Sequence, residues 1–130
     1  MRSVEQCYRG RNVRVFRFDV AGVLARLRIR AHDVLERRPD VVEVRLFGSV
    51  SRGDAHPGSD ADLFVIVRDG APPFLERLPD LAHEFGGVGV GCDVIVFTES
   101  ESGELRERAG AFARAVFEEG FSLGRRSEPA

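Results

Sequence analysis

Apolar and polar positions along the chain follow two periods in turn, one of strands and one of helices. Residues 13–18, Val-Arg-Val-Phe-Arg-Phe, are β-branched and aromatic and read as a short strand. From Asp19, a suitable N-cap, apolar residues recur at Val20, Val23, Leu24, Leu27, Ala31, Val34 and Leu35. That spacing lays one buried stripe along a helix, and Pro39-Asp40 stops it. Val41 to Phe47 reads as a second strand, and Gly48 to Ser59, rich in Gly, Ser, Asp, His and Pro, as a turn segment. Leu63-Phe64-Val65-Ile66-Val67 is an unbroken apolar run, the pattern of a strand covered on both faces and hence central in its sheet.

Pro72-Pro73 opens a second helical pattern, Phe74, Leu75, Leu78, Leu81, Ala82 and Phe85, which Pro79 kinks or divides. Gly86 to Gly91 reads as flexible, and Asp93-Val94-Ile95-Val96-Phe97 as a third core strand. The spacing then predicts a last helix from about Glu104 to Glu119 that buries Leu105, Ala109, Phe112, Ala113, Val116 and Phe117. Gly124 to Ala130 reads as a loose tail. Strands alternating with helices define an α/β fold, a small sheet with helices packed on it.

With 130 residues, 43% hydrophobic and 31% charged, residues 1–130 make one domain with a single core. The net charge of −2 argues against holding nucleic acid by neutralising its phosphates, so no direct nucleic-acid contact is expected. No apolar run reaches the roughly eighteen residues of a membrane span, and the first residues carry charge where a secretory signal needs an apolar block. A cytoplasmic, membrane-free protein is expected, with Cys7 and Cys92 reduced. All 19 basic residues are Arg, which excludes a Schiff-base lysine and a phosphate loop ending in Gly-Lys.

Chemistry concentrates between Gly48 and Leu63. At about 3.3 Å per residue, Asp60 and Asp62 at the head of a strand point to one face about 7 Å apart. Two carboxylates that close repel and push one pKa upward, whereas a divalent cation between them reverses the problem. Mg²⁺ takes oxygen ligands, commonly one or two carboxylates plus substrate phosphates. The pair therefore points to a metal-nucleotide site. The loop between the strands ending at Phe47 and beginning near Asp62 is too short for a crossover, so these strands run antiparallel and Ser49 falls beside Asp60 and Asp62. The helical stretch before Asp93 permits a parallel crossover that brings Asp93 to the same edge. In the facing turn, Gly48 lets the backbone approach an anion, Ser49 offers a hydroxyl and can cap a short helix from Val50, and Arg52 offers a forked donor to phosphate.

Gly48-Ser49, ten residues, then Asp60-Ala61-Asp62 resembles the signature of the nucleotidyltransferase superfamily, and Arg52-Gly53 and Ser59 fall where members carry Arg-Gly and Ser. In layout the chain is similar to the minimal nucleotidyltransferases that partner HEPN-domain proteins in toxin–antitoxin pairs. The resemblance covers roughly residues 20–119 and leaves residues 1–18 as an N-terminal extension. It implies a polymerase-β palm-like fold with a mixed sheet of three core strands, ATP with two Mg²⁺, and transfer of AMP with release of pyrophosphate. It further implies that Asp60 and Asp62 bind both metals, that Asp93 binds one and acts as base, and that Gly48 and Ser49 hold the β- and γ-phosphates.

The implied acceptor is a hydroxyl on a HEPN partner, which makes the chain an antitoxin. Two other functions stay open: a non-catalytic module that neutralises its partner by occlusion, and nucleotidyl transfer to a small molecule. A homo-oligomer stays open as well. The segment with Arg9, Arg11, Arg14 and Arg17 reads as an edge strand whose charges discourage aggregation, with a partner surface as the alternative. His32, His56 and His83 lack the spacing of a zinc site, and Cys92 reads as a small buried apolar residue.

Overall fold

The computed structural model describes residues 4–9, 13–55, 58–70 and 81–127, with residues 4–9 and 13–18 described by their backbone pairing. Strand β1 (Val4–Arg9) pairs antiparallel with β2 (Val13–Phe18) in a two-stranded sheet. The strand expected at 13–18 is thus present, and its partner β1 carries too little alternation to announce itself. Helix α1 (Val20–Arg37) follows, and the Gly22 N–H donates to Oδ1 of its N-cap Asp19 over 3.0 Å. Its stripe of Val23, Leu27, Ala31, Val34 and Leu35 is buried as the periodicity requires.

The main sheet has four strands, β3 (Val41–Phe47), β4 (Ala61–Val67), β5 (Cys92–Thr98) and β6 (Phe121–Arg125), in the order β5-β4-β3-β6. The β3–β4 pair is antiparallel, as its short loop requires, and the β4–β5 pair is parallel, as the longer connection permits. The apolar run 63–67 lies inside the sheet, and Leu63, Phe64 and Val65 are fully buried. Strand β5, read as a core strand, is an edge of this sheet and only Val96 in it is buried.

Each face of the sheet has its own cover. One packs Leu46, Leu63, Val65, Val67, Val96 and Leu123 against the stripe of α1. The other is aromatic. Phe64 meets Phe97 at 4.9 Å, Phe117 at 5.6 Å and Phe112 at 6.0 Å between ring centroids, and Val42, Ile66 and Val116 join the same cluster.

Three expectations change in the C-terminal third. The last helix begins earlier and breaks: α3 (Glu99–Arg108) starts at a capping box between Thr98 and Glu101, then α4 (Ala111–Arg114) continues into a π-helical turn, Ala115–Glu119. Ala109 ends α3 in the left-handed region at φ 50 and is exposed, so it leaves the predicted buried set. Asp69 reinforces the new start, because its carboxylate accepts from both the N–H (3.0 Å) and the hydroxyl (2.7 Å) of Ser100. The expected loose tail is partly strand: Gly124 and Arg125 belong to β6, and the next residue, Arg126, donates to the carbonyls of Leu35, Arg38 and Val41, tying the chain to the end of α1. A strand at 121–125 escapes notice because its short run holds a Ser and a Gly. The helical pattern at 72–80 lies outside the described residues, and the following turn, His83–Phe85, is 3₁₀ with Phe85 buried.

Candidate active site

Three strand ends meet at one end of the sheet. β3 stops at Phe47, where Gly48 at φ +79 turns the chain into the single helical turn α2 (Ser49–Arg52). Ser49 is its first residue rather than its cap. Gly48 holds the cap position with no side-chain bond, and the Ser51 hydroxyl donates to the Gly48 carbonyl over 2.7 Å. Gly53 then closes the turn at φ +76. Asp62, second in β4, is the register partner of Phe47 on one side and of Asp93 on the other. Strand alternation puts Asp60, Asp62 and Phe64 on one face, and Asp93, Ile95 and Phe97 on the same face of β5. The three carboxylates prolong the aromatic face beyond its last ring.

Two glycines shape the space around them. A Cβ on Gly48 would lie 2.1 Å from Oδ2 of Asp62, and a Cβ on Gly91 would lie 2.7 Å from Oδ1 of Asp60. A side chain at either place would push the carboxylate aside, so glycine backbone lies directly against both carboxylates. Asp62 has its pKa raised, first by burial, then by the charges of Asp93 and Asp60, with Arg52 opposing. Asp62 thus lies within the field of the other two aspartates. Cys92 beside them is pushed up to about 11, mainly by burial and then by Asp60 and Asp93, and its thiol meets the Phe85 carbonyl at 3.6 Å. Its raised pKa keeps it a thiol rather than a thiolate, but it is half-buried and not the buried apolar residue its sequence setting suggests.

The other predicted residues fall nearby in different states. Arg52 is exposed, and its Nε lies 3.0 Å from Oδ2 of Asp54. Ser59 is half-buried just before Asp60, and His56 lies outside the described residues. The segment Gly86–Gly91, read as flexible, is instead fastened: Val88 is fully buried, its carbonyl accepts from Arg26 Nε at 2.8 Å, and the Gly91 carbonyl accepts from Ala61 N–H at 2.9 Å. Gly91 was invisible in sequence as a site residue because a glycine-rich run reads first as a hinge.

Among the described residues, no group of three or more His, Cys, Asp or Glu is already closed around a point that could hold a metal ion. The donors are all carboxylate oxygens on one face with glycine walls behind them. Such a set fits a hard divalent cation that completes its shell with substrate oxygens.

A nucleotidyltransferase-domain family model matches residues 28–121, more than half of the chain. The chain belongs to the nucleotidyltransferase family. Among solved structures it is similar to a Sulfolobus solfataricus protein assigned as a nucleotidyltransferase, at 22% identity and a TM-score of 0.61, over 82% of this chain and 84% of that one. It is also similar to a chain of a toxin–antitoxin structure with AMP-PNP, at 22% identity and a TM-score of 0.51, over 76% of this chain and 73% of that one. At this identity both likenesses concern the fold alone. No curated protein matches the chain significantly. Among the described residues, no helix is long and apolar enough to cross a membrane.

Proposed function

We propose that this nucleotidyltransferase moves AMP from ATP to a hydroxyl on a partner protein of HEPN type and thereby acts as an antitoxin. The observation that carries the chemistry is the register pairing of Asp62 with Asp93, with Asp60 two residues before Asp62 and Gly48 against the Asp62 carboxylate. The partner reading draws on the toxin–antitoxin structure that shares the fold and contains AMP-PNP.

Asp60, Asp62 and Asp93 would hold Mg²⁺, which when bound supplies charge neutralisation at the phosphates and acidifies a coordinated hydroxyl. Asp93, exposed at the outer strand, accepts the proton of the acceptor hydroxyl as its oxygen attacks the α-phosphorus. The bond between the α-phosphorus and its bridging oxygen breaks, and pyrophosphate leaves. Gly48 and Ser49 receive the β- and γ-phosphates, where a glycine lets backbone N–H groups come close. Arg52 exchanges its exposed contact with Asp54 for a phosphate oxygen, since exposed ion pairs are weak. Asp60 and Asp93 are exposed, so a hydroxyl held by a second protein can reach them, and holding it in line with the α-phosphate contributes a large share of the rate.

Labelled nucleotide tests this reading. With the partner and Mg²⁺, label from α-³²P-ATP should appear on the partner and label from γ-³²P-ATP should not. Transfer of γ-label would make the protein a kinase. Neutralisation of the partner without transfer of either label would make it an occluding module.

A further inference from the structure

Helix α1 lies on the face of the sheet opposite the carboxylates, yet two of its arginines reach the segment that shapes them. Arg26 Nε donates to the Val88 carbonyl over 2.8 Å, and a Cβ on Gly87 would lie 3.4 Å from a terminal nitrogen of Arg30. Val88 itself is sealed in the core beneath α1. Three residues further on, the Gly91 carbonyl accepts from Ala61 N–H over 2.9 Å, and Gly91 stands against Oδ1 of Asp60. A short line of contacts therefore runs from the back of the sheet to a carboxylate on its front.

Packing alone does not call for a guanidinium here. Both terminal nitrogens of Arg26 are buried and meet no hydrogen-bond partner among the described residues. Buried donors without partners oppose folding, and an apolar side chain of similar length would fill the space without that penalty. What only the arginine supplies is the donor to Val88, and that donor falls on the segment that sets where Gly91 stands.

We propose that Arg26 is a positioning residue for the transfer site: by holding the Val88 carbonyl it keeps the Gly86–Gly91 segment seated, so that Gly91 stays against Asp60 and β5 delivers Asp93 in register with Asp62. The functional half of this inference rests on the reading of the three aspartates as a metal-nucleotide site. Arg26 precedes residues 28–121, so the family match does not assign it.

The test uses the full chain with Arg26→Met, which keeps an unbranched stem and removes every donor, and Arg26→Lys, which returns one. In Arg26→Met the Ala61 amide should exchange about tenfold faster while α1 and β3 keep their protection, and the affinity for Mn²⁺ with AMP-PNP should fall about tenfold. The thermal midpoint should stay within about 4 °C of wild type, because a lost hydrogen bond is offset by removing two unpartnered nitrogens. Arg26→Lys should recover part of both losses. Unchanged exchange at Ala61 overturns the proposal, and so does faster exchange with undiminished Mn²⁺–AMP-PNP affinity. Loss of protection spread evenly over the core would make Arg26 merely structural and overturn it too. If the wild-type protein binds no Mn²⁺ with AMP-PNP, the metal-nucleotide reading fails separately, and exchange at Ala61 still decides whether Arg26 seats the segment.

Discussion

Strand β4 and the residue before it form two regions that differ in kind within eight residues. From Leu63 to Val67 every side chain is buried, closed on one face by α1 and on the other by phenylalanines. From Asp60 to Asp62 the same backbone, in the same register, holds two carboxylates that face a third across the pair with β5. The first half gathers apolar contact and the second gathers like charge. Ionised Asp62 is disfavoured where it stands, as its raised pKa records, so this end of the strand opposes folding while the other drives it. The comparison teaches that stability and chemistry are separable along one strand, and substitutions should separate them.

The largest effect expected is on activity. Asp62→Asn should reduce nucleotidyl transfer on the order of 10³- to 10⁴-fold, the scale on which catalytic groups are lost. Its thermal midpoint should equal or slightly exceed that of wild type, because a partly buried charge repelled by Asp93 and Asp60 is gone. Unfolding of this variant would break the comparison. Phe64→Ala is its mirror image. Removing a ring that touches three others should lower stability by about 3–5 kcal/mol in denaturant titrations, with Leu63→Ala losing about 2–5 kcal/mol on the opposite face.

A pair of glycines sharpens the boundary between the regions. Gly48 and Gly53 both hold positive φ, so alanine at either should cost about 1–3 kcal/mol of backbone strain. Only at Gly48 would the new methyl group strike Asp62, while Gly53 has nothing within 4 Å. Nucleotide affinity, measured by calorimetry with AMP-PNP, should therefore fall far more for Gly48→Ala than for Gly53→Ala. Equal losses would mean that the approach to Asp62 has no part in binding.

The smallest effect is a pH slope. Because the native pKa of Asp62 lies above its ordinary value of 3.8, the folded protein holds this proton more tightly than the unfolded chain. Its contribution to stability thus falls as pH rises from 3.8 through the raised native value, and then levels off. Asp69 has the opposite sign. The hydroxyl and N–H of Ser100 lower its pKa, so its support for the start of α3 is complete above the ordinary carboxylate value and is lost as pH falls through the lowered one. Urea midpoints followed across this range should lose the first slope in Asp62→Asn and the second in Asp69→Asn.

Much of this molecule is legible in local patterns. Period alone shows α1, β3 and the centre of β4, because an 18-residue stripe and an unbroken apolar run each admit one packing. The spacing from Gly48-Ser49 to Asp60-Ala61-Asp62 marks the candidate site, and the parallel crossover that the longer connection permits pairs Asp93 with Asp62. The break at Ala109, the strand at Phe121–Arg125 and the edge position of β5 leave no periodic trace, since they depend on which surfaces were still open after the rest had packed.

The sequence by itself determined which residues are candidates for the chemistry and which strands bear them, because side-chain type and period are local properties. Tertiary structure alone decided how near the charges lie and what walls them. Gly91 becomes part of the site only because Arg26, 65 positions away, and Ala61, 30 positions away, hold its segment in place. Contacts between residues so far apart in the chain exist only once the sheet and α1 have assembled, and no window of sequence contains them.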